Sequence, residues 1–317
     1  MFPVRRTSVL TAVALLLVAG CSADPKTSNT SADLGVNTSA SQNRVETTKN
    51  EAAAALLPAK IRERGTLIVG AGFGSGNPPL GFIADDNKTP IGIEVDLAYL
   101  VAGALGLKPE IQVTSWENLF LGIDSGKYDA GFSNITVTEK RKQKYDFATY
   151  RKDDIAFEAK KGAGWKVASG KDVAGKTIAV SSGTNQEKIL VDWNEANIKA
   201  GLPAATIKYF SNQTDTYLAL TSGRIDAYLG PNPSIAYHVK TGGQTETIGK
   251  FSGAGPTLQG LIAATTKKDD GLVQAYQAAI NAVIADGTYA KVLARWNVST
   301  EAVQKSEINP PGLPLTN

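Results

Sequence analysis

Two stretches of the chain repeat one pattern, and this repeat constrains the fold more than any other feature. Residues 121–130 read LGIDSGKYDA, and residues 220–227 read LTSGRIDA. Each stretch predicts a helix that ends at a glycine, where a left-handed C-cap is tolerated, followed by a buried strand. Ser133, Asn134 and Thr136 follow the first strand, and Gly230, Pro231 and Asn232 follow the second. Because ligands of open α/β sheets bind beyond the carboxyl ends of the strands, the repeat predicts two α/β lobes that share one ligand cleft.

The first residues of the chain are typical of an export signal. Arg5 and Arg6 precede an apolar run at residues 9–18, which is too short to span a bilayer as a mature helix. We therefore assign residues 1–20 to a signal peptide. The small residues before Cys21 resemble the lipobox of bacterial lipoproteins, which implies a lipid on the Cys21 thiol and a membrane anchor. The alternative is an ordinary secretory signal with a chance cysteine, although Cys21 is the one cysteine of the chain.

Residues 21–57 have the composition of a disordered segment. They are rich in Ser, Thr, Asn and Ala, and they contain few large apolar side chains. Such a stretch buries too little apolar surface to offset the entropy that ordering removes. We therefore predict a disordered tether between the lipid anchor and the folded part.

The rest of the chain alternates predicted strands with predicted helices, and the alternation restarts near residue 176. Alternation of this kind favours parallel sheets with crossover helices. Strands are predicted at 66–70, 111–114, 129–133, 176–180, 206–210 and 226–229, and helices at 92–103, 116–125, 185–196, 214–222, 272–286 and 288–297. We therefore predict an α/β fold of two lobes, with lobe 1 formed by residues 58–155 and 258–317 and lobe 2 by residues 158–255.

Charge and histidine content exclude several classes of function. The chain has 33 basic and 30 acidic residues, a net charge of +3, so we expect no nucleic-acid partner. Its one histidine, His238, leaves no His-based metal site and no Ser-His triad. We predict neither a metal nor a cofactor, and we interpret His238 as a surface or half-buried helix residue.

An ordered set of short motifs resembles the solute-binding proteins of polar amino acid ABC transporters, which are bacterial extracellular solute-binding proteins of family 3. The motifs are GTLIVG (65–70), PP (78–79), GIEVDLA (92–98), TVTEKR (136–141), DFATY (146–150), SGT (182–184) and GRIDA (223–227). The resemblance covers residues 60–297. It implies a two-lobe periplasmic-binding-protein fold of type II and a monomer that is not an enzyme. It also implies binding of an amino acid or related carboxylate outside the cytoplasm and delivery to an ABC permease in the membrane.

Arg141 is the main candidate for binding the ligand's carboxylate. It follows the third predicted strand, and a guanidinium can donate two parallel hydrogen bonds to a carboxylate. The resemblance implies this role at this position. The residues alone also allow a structural ion pair with Asp146 or with another acidic residue at the rim.

Ser182, Thr184 and Asn185 are expected to contact the same carboxylate from lobe 2. They lie between a predicted strand and a predicted helix, where backbone N–H groups and the helix dipole favour an anion. Capping of the helix by Thr184 is the simpler alternative, and both roles are compatible.

Three residues of lobe 1 complete the predicted site around the ligand's amino group and side chain. Thr136 and the backbone at Asn134 are expected to hydrogen-bond the amino group, and a capping role is the alternative for Thr136. Trp116 matches a family position that packs against the ligand, and a core tryptophan is an equal alternative.

Two positions depart from the family pattern and bear on the ligand. The family usually has an aspartate that pairs with the ligand's ammonium where this chain has Pro231, which leaves Asn232, Glu117 or Asp215 to compensate. At Asn77 the family commonly has an aromatic residue that stacks on the ligand. These changes predict a carboxylate ligand that is not a standard α-amino acid.

Binding of this kind predicts closure of the two lobes around the ligand. Each lobe holds part of the site, so the ligand favours the closed form, with hinges expected near residues 154–158 and 247–259. Two other functions remain open from the sequence alone: a dehydratase-like enzyme on the same scaffold, and a ligand-sensing lipoprotein.

Overall fold

The computed structural model describes residues 2, 36–74 and 76–315. Apart from Phe2, the predicted signal peptide and the predicted lipidation site Cys21 lie outside the described residues. In chain order the elements are α1 (Glu51–Ala55), α2 (Ala59–Arg64), β1 (Thr66–Ala71), β2 (Phe82–Ile83), β3 (Pro90–Ile91), α3 (Ile93–Ala104), β4 (Lys108–Val113), α4 (Trp116–Asp124), β5 (Ala130–Gly131), β6 (Tyr145–Lys160), β7 (Thr177–Val180), α5 (Asn185–Lys199), β8 (Thr206–Tyr209), α6 (Gln213–Thr221), β9 (Ala227–Pro231), α7 (Asn232–Gly242), β10 (Thr245–Ser252), β11 (Gly260–Lys267), α8 (Val273–Ala285) and α9 (Thr288–Arg295).

The repeat seen in the sequence is a structural repeat. Helices α4 and α6 both end just before a glycine with a left-handed backbone, Gly126 at φ 74° and Gly223 at φ 76°. A buried strand follows each glycine, β5 in lobe 1 and β9 in lobe 2. The prediction of a helix, a glycine cap and a strand in each lobe is confirmed.

One hydrogen-bonded path of strands runs through both lobes because β6 is 16 residues long. The order is β4-β1-β5-β11-β6-β9-β7-β8, and β10 also pairs with β6. Residues 145–153 of β6 pair with β11, whereas residues 154–160 pair with β10 and β9. Strands β1, β4 and β5 are parallel, as are β7, β8 and β9. The chain therefore crosses between the lobes inside β6 and again between β10 and β11.

Each lobe has its own apolar core. In lobe 1, α3, α8 and α9 cover the sheet and bury Leu67, Leu97 and Trp296. In lobe 2, Phe157 and Ile178 belong to a separate buried cluster. Because the clusters are separate, each lobe can keep its packing while the lobes move about the two crossings. The lobe limits drawn from the sequence stay predictions.

The predicted tether is wrong for residues 36–57, which we call the N-terminal strap. The strap packs on lobe 1, where Ala53 and Leu57 join the core. Arg44 forms an ion pair of 2.9 Å with the buried Asp96, and the backbone N–H of Asn50 donates to Ala104 at 2.8 Å. Composition misses such a segment because a few well-placed side chains, each with a distant partner, hold it.

Removal of the strap is expected to destabilise the fold. A chain that starts at residue 58 loses the burial of Leu57 and the polar contacts of Arg44 and Asn50, about 3 kcal/mol together. For a chain of this size that loss lowers the Tm by about 6–12 °C. Thermal unfolding of chains that start at residues 36 and 58 measures the difference, and equal Tm values would show that the strap contributes nothing.

Candidate ligand cleft

A cavity of about 410 Å³ lies between the two lobes. Residues that follow β1, β5 and β7, and the last residues of β9, form its wall, so it lies at the carboxyl ends of strands from both lobes. Six predicted site residues line it: Asn77, Trp116, Asn134, Ser182, Thr184 and Asn185. Aromatic rings from Phe73, Tyr209, Phe210 and Tyr228 also line the cavity. We call this cavity the cleft.

A helix N-cap and a residue with a left-handed backbone shape the lobe 1 wall. Trp116 is the first residue of α4, and the Ser115 side chain caps that helix by accepting from the Asn118 N–H at 3.3 Å. Asn134 follows β5 with φ 52°, a left-handed conformation that asparagine adopts more readily than most residues. The N-cap and the left-handed residue thus place Trp116 and Asn134 in the lining of the same cleft.

The lobe 2 wall begins at the first turn of α5. Thr184 is the N-cap of this helix, and its hydroxyl accepts from the Glu187 N–H at 3.1 Å and donates to the Ser181 carbonyl at 2.7 Å. The capping role predicted as the simpler alternative is therefore present. Since Ser182 and Gln186 also line the cleft, the positive end of the helix dipole faces the cavity.

Thr136 does not reach the cleft, although the sequence assigned it to the ligand's amino group. It is fully buried, and its hydroxyl donates to Asp153 Oδ2 at 2.8 Å. Asn185 Nδ2 donates to the same oxygen at 2.9 Å and to the Gly253 carbonyl at 2.8 Å. Burial raises the pKa of Asp153 to about 6. The Asp153 carboxylate therefore accepts hydrogen bonds from the side chains of two residues that the sequence assigned to the ligand. Because Thr136 lies in lobe 1 and Asn185 in lobe 2, this carboxylate joins the lobes at the crossing.

Arg141 also lies behind the cleft wall. Its guanidinium donates to the carbonyls of Thr136 at 2.9 Å and Gly183 at 3.0 Å, and it lies 5.2 Å from the centre of the Trp116 ring. Burial lowers the pKa of Arg141 to about 10. Arg141 also lines a second cavity, of about 580 Å³. Because both donors face backbone carbonyls, Arg141 supports Trp116 and joins the lobes in this structure.

The positions named as substitutes for a missing aspartate separate in the structure. Pro231 and Glu117 line the cleft, and Glu117 is exposed. Asn232 does not line it, and its side-chain nitrogen lies 3.5 Å from Glu301 Oε1. Asp215 accepts from Asn212 Nδ2 at 2.8 Å on an exposed part of α6. Asn232 and Asp215 therefore do not take the place of the missing aspartate at the cleft surface.

A buried ionic cluster forms the floor of the cleft, and sequence reasoning missed it. Arg151 is fully buried; it donates to Glu94 Oε1 at 2.8 Å, to Glu301 and to the Asn134 side chain. Glu94 Oε2 accepts from the Asn134 N–H at 2.9 Å and from the Tyr150 hydroxyl. Although Arg151 opposes the effect, burial raises the pKa of Glu301 to about 7. The one sequence signal of this cluster is the acidic residue Glu94 inside the GIEVDLA motif, which by itself predicts only a helix.

The electrostatic character of the cleft follows from its lining. Among the described residues that line it, Glu94 and Glu117 are acidic, and none is Lys, Arg or His. The walls touch through Arg141 and Gly183, and through a hydrogen bond from the Gln213 amide to Asn77. The cleft is therefore a closed polar cavity with aromatic rings and a negative floor, suited to a small polar molecule that bears a cationic group.

Two further observations limit what the described part of the chain offers. Across residues 36–74 and 76–315, His, Cys, Asp and Glu side chains do not gather in a group of three that could hold a metal ion. None of the helices within these ranges has the length and apolar character needed to cross a membrane.

Known proteins share both the sequence pattern and the fold. The family model of bacterial extracellular solute-binding proteins, family 3, matches residues 69–299. The L-cystine-binding protein TcyJ of Escherichia coli (strain K12) is 30% identical over 238 residues, which cover 75% of this chain and 84% of TcyJ. A solved structure of an ancestral arginine-binding protein bound to arginine has a TM-score of 0.64 and 28% identity, and the match covers 74% of this chain and 98% of that one.

A third likeness concerns the enzyme alternative. The ancestral amino acid-binding protein AncCDT-1, described as a precursor of cyclohexadienyl dehydratase, has a TM-score of 0.61 and 29% identity, and the match covers 75% of this chain and 97% of that one. That neighbour is itself described as a binding protein. With the family model matched over most of the folded part and a relative 30% identical over most of its length, this chain belongs to family 3 of the bacterial extracellular solute-binding proteins.

Proposed function

We propose that this protein binds a small amino acid or amino acid derivative outside the cytoplasm and delivers it to an ABC permease. The observation that carries the proposal is the cleft between two lobes that are joined at two chain crossings and hold separate parts of one polar site. The relatives named for binding cystine, arginine and amino acids support the same class of ligand. Closure of the lobes around the ligand would present a surface that differs from the open form, which is what a permease needs to recognise.

The ligand site that we propose uses the residues at the cleft surface. Ser182, Thr184 and the first turn of α5 receive the ligand's carboxylate, because N–H groups and the helix dipole favour an anion there. Asn77, Trp116 and Asn134 contact the rest of the ligand from lobe 1. Arg141 and Thr136 act from behind this surface, through the contacts with Gly183 and Asp153. Asn185 lines the cleft, and its side chain also donates to Asp153.

The proposal includes the cell envelope. Cleavage before Cys21 and lipidation of its thiol would hold a monomer at the outer face of the membrane, close to the permease. A Cys21→Ser variant tests the anchor, since it should leave the membrane fraction. Recovery of that variant with the membranes would contradict the anchor but not ligand binding.

A thermal-shift screen tests the ligand. The probes are the standard L- and D-amino acids, L-cystine, N-acylated amino acids and simple carboxylates, added to a chain that starts at residue 36. A ligand that binds only the folded state stabilises it by about 2.7 kcal/mol at a hundredfold excess over Kd. For a chain of this size the Tm then rises by about 5–11 °C.

Two outcomes of the screen would contradict parts of the proposal. If no amino acid or derivative raises the Tm, the proposed ligand class is wrong. If the hit is chemically changed after incubation with the protein, as followed by NMR, the protein is an enzyme on this scaffold. A stable hit from the standard L-amino acids would instead contradict the prediction that Pro231 excludes them.

A further inference from the structure

We propose that Glu94, at the floor of the cleft in lobe 1, receives the α-ammonium group of the bound amino acid. This inference rests on the proposed function, and it names the residue that makes the cleft select an amine. It moves recognition of the ammonium to lobe 1, since Pro231 gives the lobe 2 wall no charge at that point. With Glu94 in this role, the absence of the family's aspartate does not by itself exclude a standard α-amino acid.

The position and the fixed orientation of Glu94 carry the inference. Its side chain is only 1% exposed, yet it lines the cleft. Arg151 donates to Oε1 at 2.8 Å, and the Asn134 N–H donates to Oε2 at 2.9 Å. A carboxylate oxygen has two lone pairs, and Oε1 accepts one hydrogen bond from the described residues, so it can accept another from a ligand. A group held this firmly loses little entropy when a ligand binds.

The buried negative charge around Glu94 favours binding of a cation at the floor of the cleft. Two buried carboxylates, Glu94 and Glu301, contact the Arg151 guanidinium, and a third, Asp153, interacts electrostatically with both Arg151 and Arg141. The raised pKa values of Glu301 and Asp153 follow from burial without enough positive charge. An ammonium at the floor supplies that charge and stabilises the ionised cluster.

The other charged groups near the cleft do not take this role. Glu117 is exposed, so water and salt screen its attraction for a ligand. Asp153 is covered by Thr136 and Asn185 and does not line the cleft. The Arg141 guanidinium faces the carbonyls of Thr136 and Gly183, so it does not turn the cleft positive. Glu94 is therefore the fixed, buried carboxylate that a ligand in the cleft meets.

The test compares amino acids with their hydroxy-acid analogues, on the wild-type protein and on two variants. The probes are L-glutamine, L-serine, L-leucine and L-cystine, each with the analogue in which hydroxyl replaces the 2-amino group. Calorimetry gives the affinity ratio of amine to hydroxy acid for the wild-type protein, Glu94→Gln and the control Glu195→Gln, an exposed residue of α5 that does not line the cleft. We expect wild type to prefer the amine by about 10- to 100-fold, the worth of one hydrogen bond to a charged group. Glu94→Gln should reduce the ratio to near 1, whereas Glu195→Gln should keep it.

A second variant keeps the test decisive if Glu94→Gln does not fold. Glu94→Asp keeps the charge beside Arg151 but withdraws the carboxylate by one methylene, so it should also lower the ratio. An unchanged ratio in a folded Glu94 variant, or a wild-type protein that binds both forms equally, overturns the inference and leaves the proposed function standing. If wild type binds none of these probes and no hit from the thermal-shift screen, the proposed function fails and the inference fails with it.

Discussion

Replacing Arg151 with methionine should lower the free energy of unfolding by about 3–5 kcal/mol at pH 7, because it leaves buried carboxylates without their cation. Glu94 and Glu301 each lose an ion pair, and the Asn134 side chain loses its donor. Methionine fills much of the volume of the arginine stem, so the loss comes mainly from charge and hydrogen bonding rather than from a cavity.

The pH dependence identifies the cause of this loss. In the wild-type protein, burial already raises the pKa of Glu301 to about 7 and that of Asp153 to about 6, above the usual values of acidic side chains. A raised pKa in the folded state means that the stability which each group contributes is full at low pH and is lost as the pH rises through that pKa. Without Arg151 both pKa values should rise further. The variant should therefore recover part of its stability between pH 7 and pH 5.

Urea unfolding at pH 5 and pH 7 measures both effects. Lys250→Met is the matched control, since it also removes one cation from an ion pair, with Asp154, but its side chain is about half exposed. We expect the control to lose at most about 1 kcal/mol at either pH. If Arg151→Met unfolds with the wild-type free energy at both pH values, the cluster is not the electrostatic support of the cleft floor.

Local signals in the sequence predicted much of the fold. The repeat at residues 121–130 and 220–227 depends on glycine caps and a short apolar strand, and these act within a few residues. The positions of Trp116 and Thr184 at helix starts were predictable for the same reason, since Ser115 and Thr184 are good N-caps. The boundaries of such helices and strands can be predicted from the residues within them and next to them.

Contacts between distant residues were not predictable in this way. Arg151 lies 57 residues from Glu94 and 150 from Glu301 in the chain, so no window of sequence contains the cluster. The sequence analysis does not predict the 16-residue strand β6, whose two halves pair with strands of different lobes. The N-terminal strap shows the same limit, since composition describes a segment but not its partners.

The assignment of Thr136 to the ligand's amino group is wrong for a related reason. Thr136 was chosen for the hydroxyl it offers, and the hydroxyl is a donor as predicted. The acceptor is Asp153, and no local pattern in the sequence shows that its carboxylate turns back between the lobes. Residue type predicts which bonds a side chain can make, but the fold decides which partner it meets.

Replacing Gly253 with alanine should weaken ligand binding at least tenfold, because the new methyl group collides with the contact that joins the lobes. A Cβ at this position would lie 1.8 Å from Asp153 Oδ2 and 2.8 Å from Asn185 Nδ2, both shorter than the contacts that a Cβ atom makes with non-bonded neighbours. Asp153 must then leave the donors of Thr136 or Asn185. Each hydrogen bond to a charged group is worth about 1.5–3 kcal/mol, so loss of one already accounts for a tenfold change.

The reason that affinity should fall, and not only stability, is the position of this contact. Asp153 lies on the first crossing between the lobes and Gly253 on the second, and the Gly253 N–H donates to the Asp153 carbonyl at 2.8 Å. Thr136 belongs to lobe 1 and Asn185 to lobe 2, so the carboxylate bonds both lobes only when they are closed. Loss of this bond shifts the population toward the open form, and the ligand must then supply the free energy of closure.

Gly103→Ala is the matched control for this substitution. Gly103 lies inside α3, where a Cβ meets nothing closer than 3.4 Å. The Gly103→Ala variant should therefore bind the ligand as the wild-type protein does and be slightly more stable. Calorimetry gives the affinity for the screened hit, and small-angle scattering gives the radius of gyration without ligand. We expect Gly253→Ala to be larger than wild type without ligand and to reach the same size at saturation. If it binds as tightly as the wild-type protein and has the same radius, the contact of Asp153 with both lobes does not control closure, and the two walls are held by Arg141 and Gln213 alone.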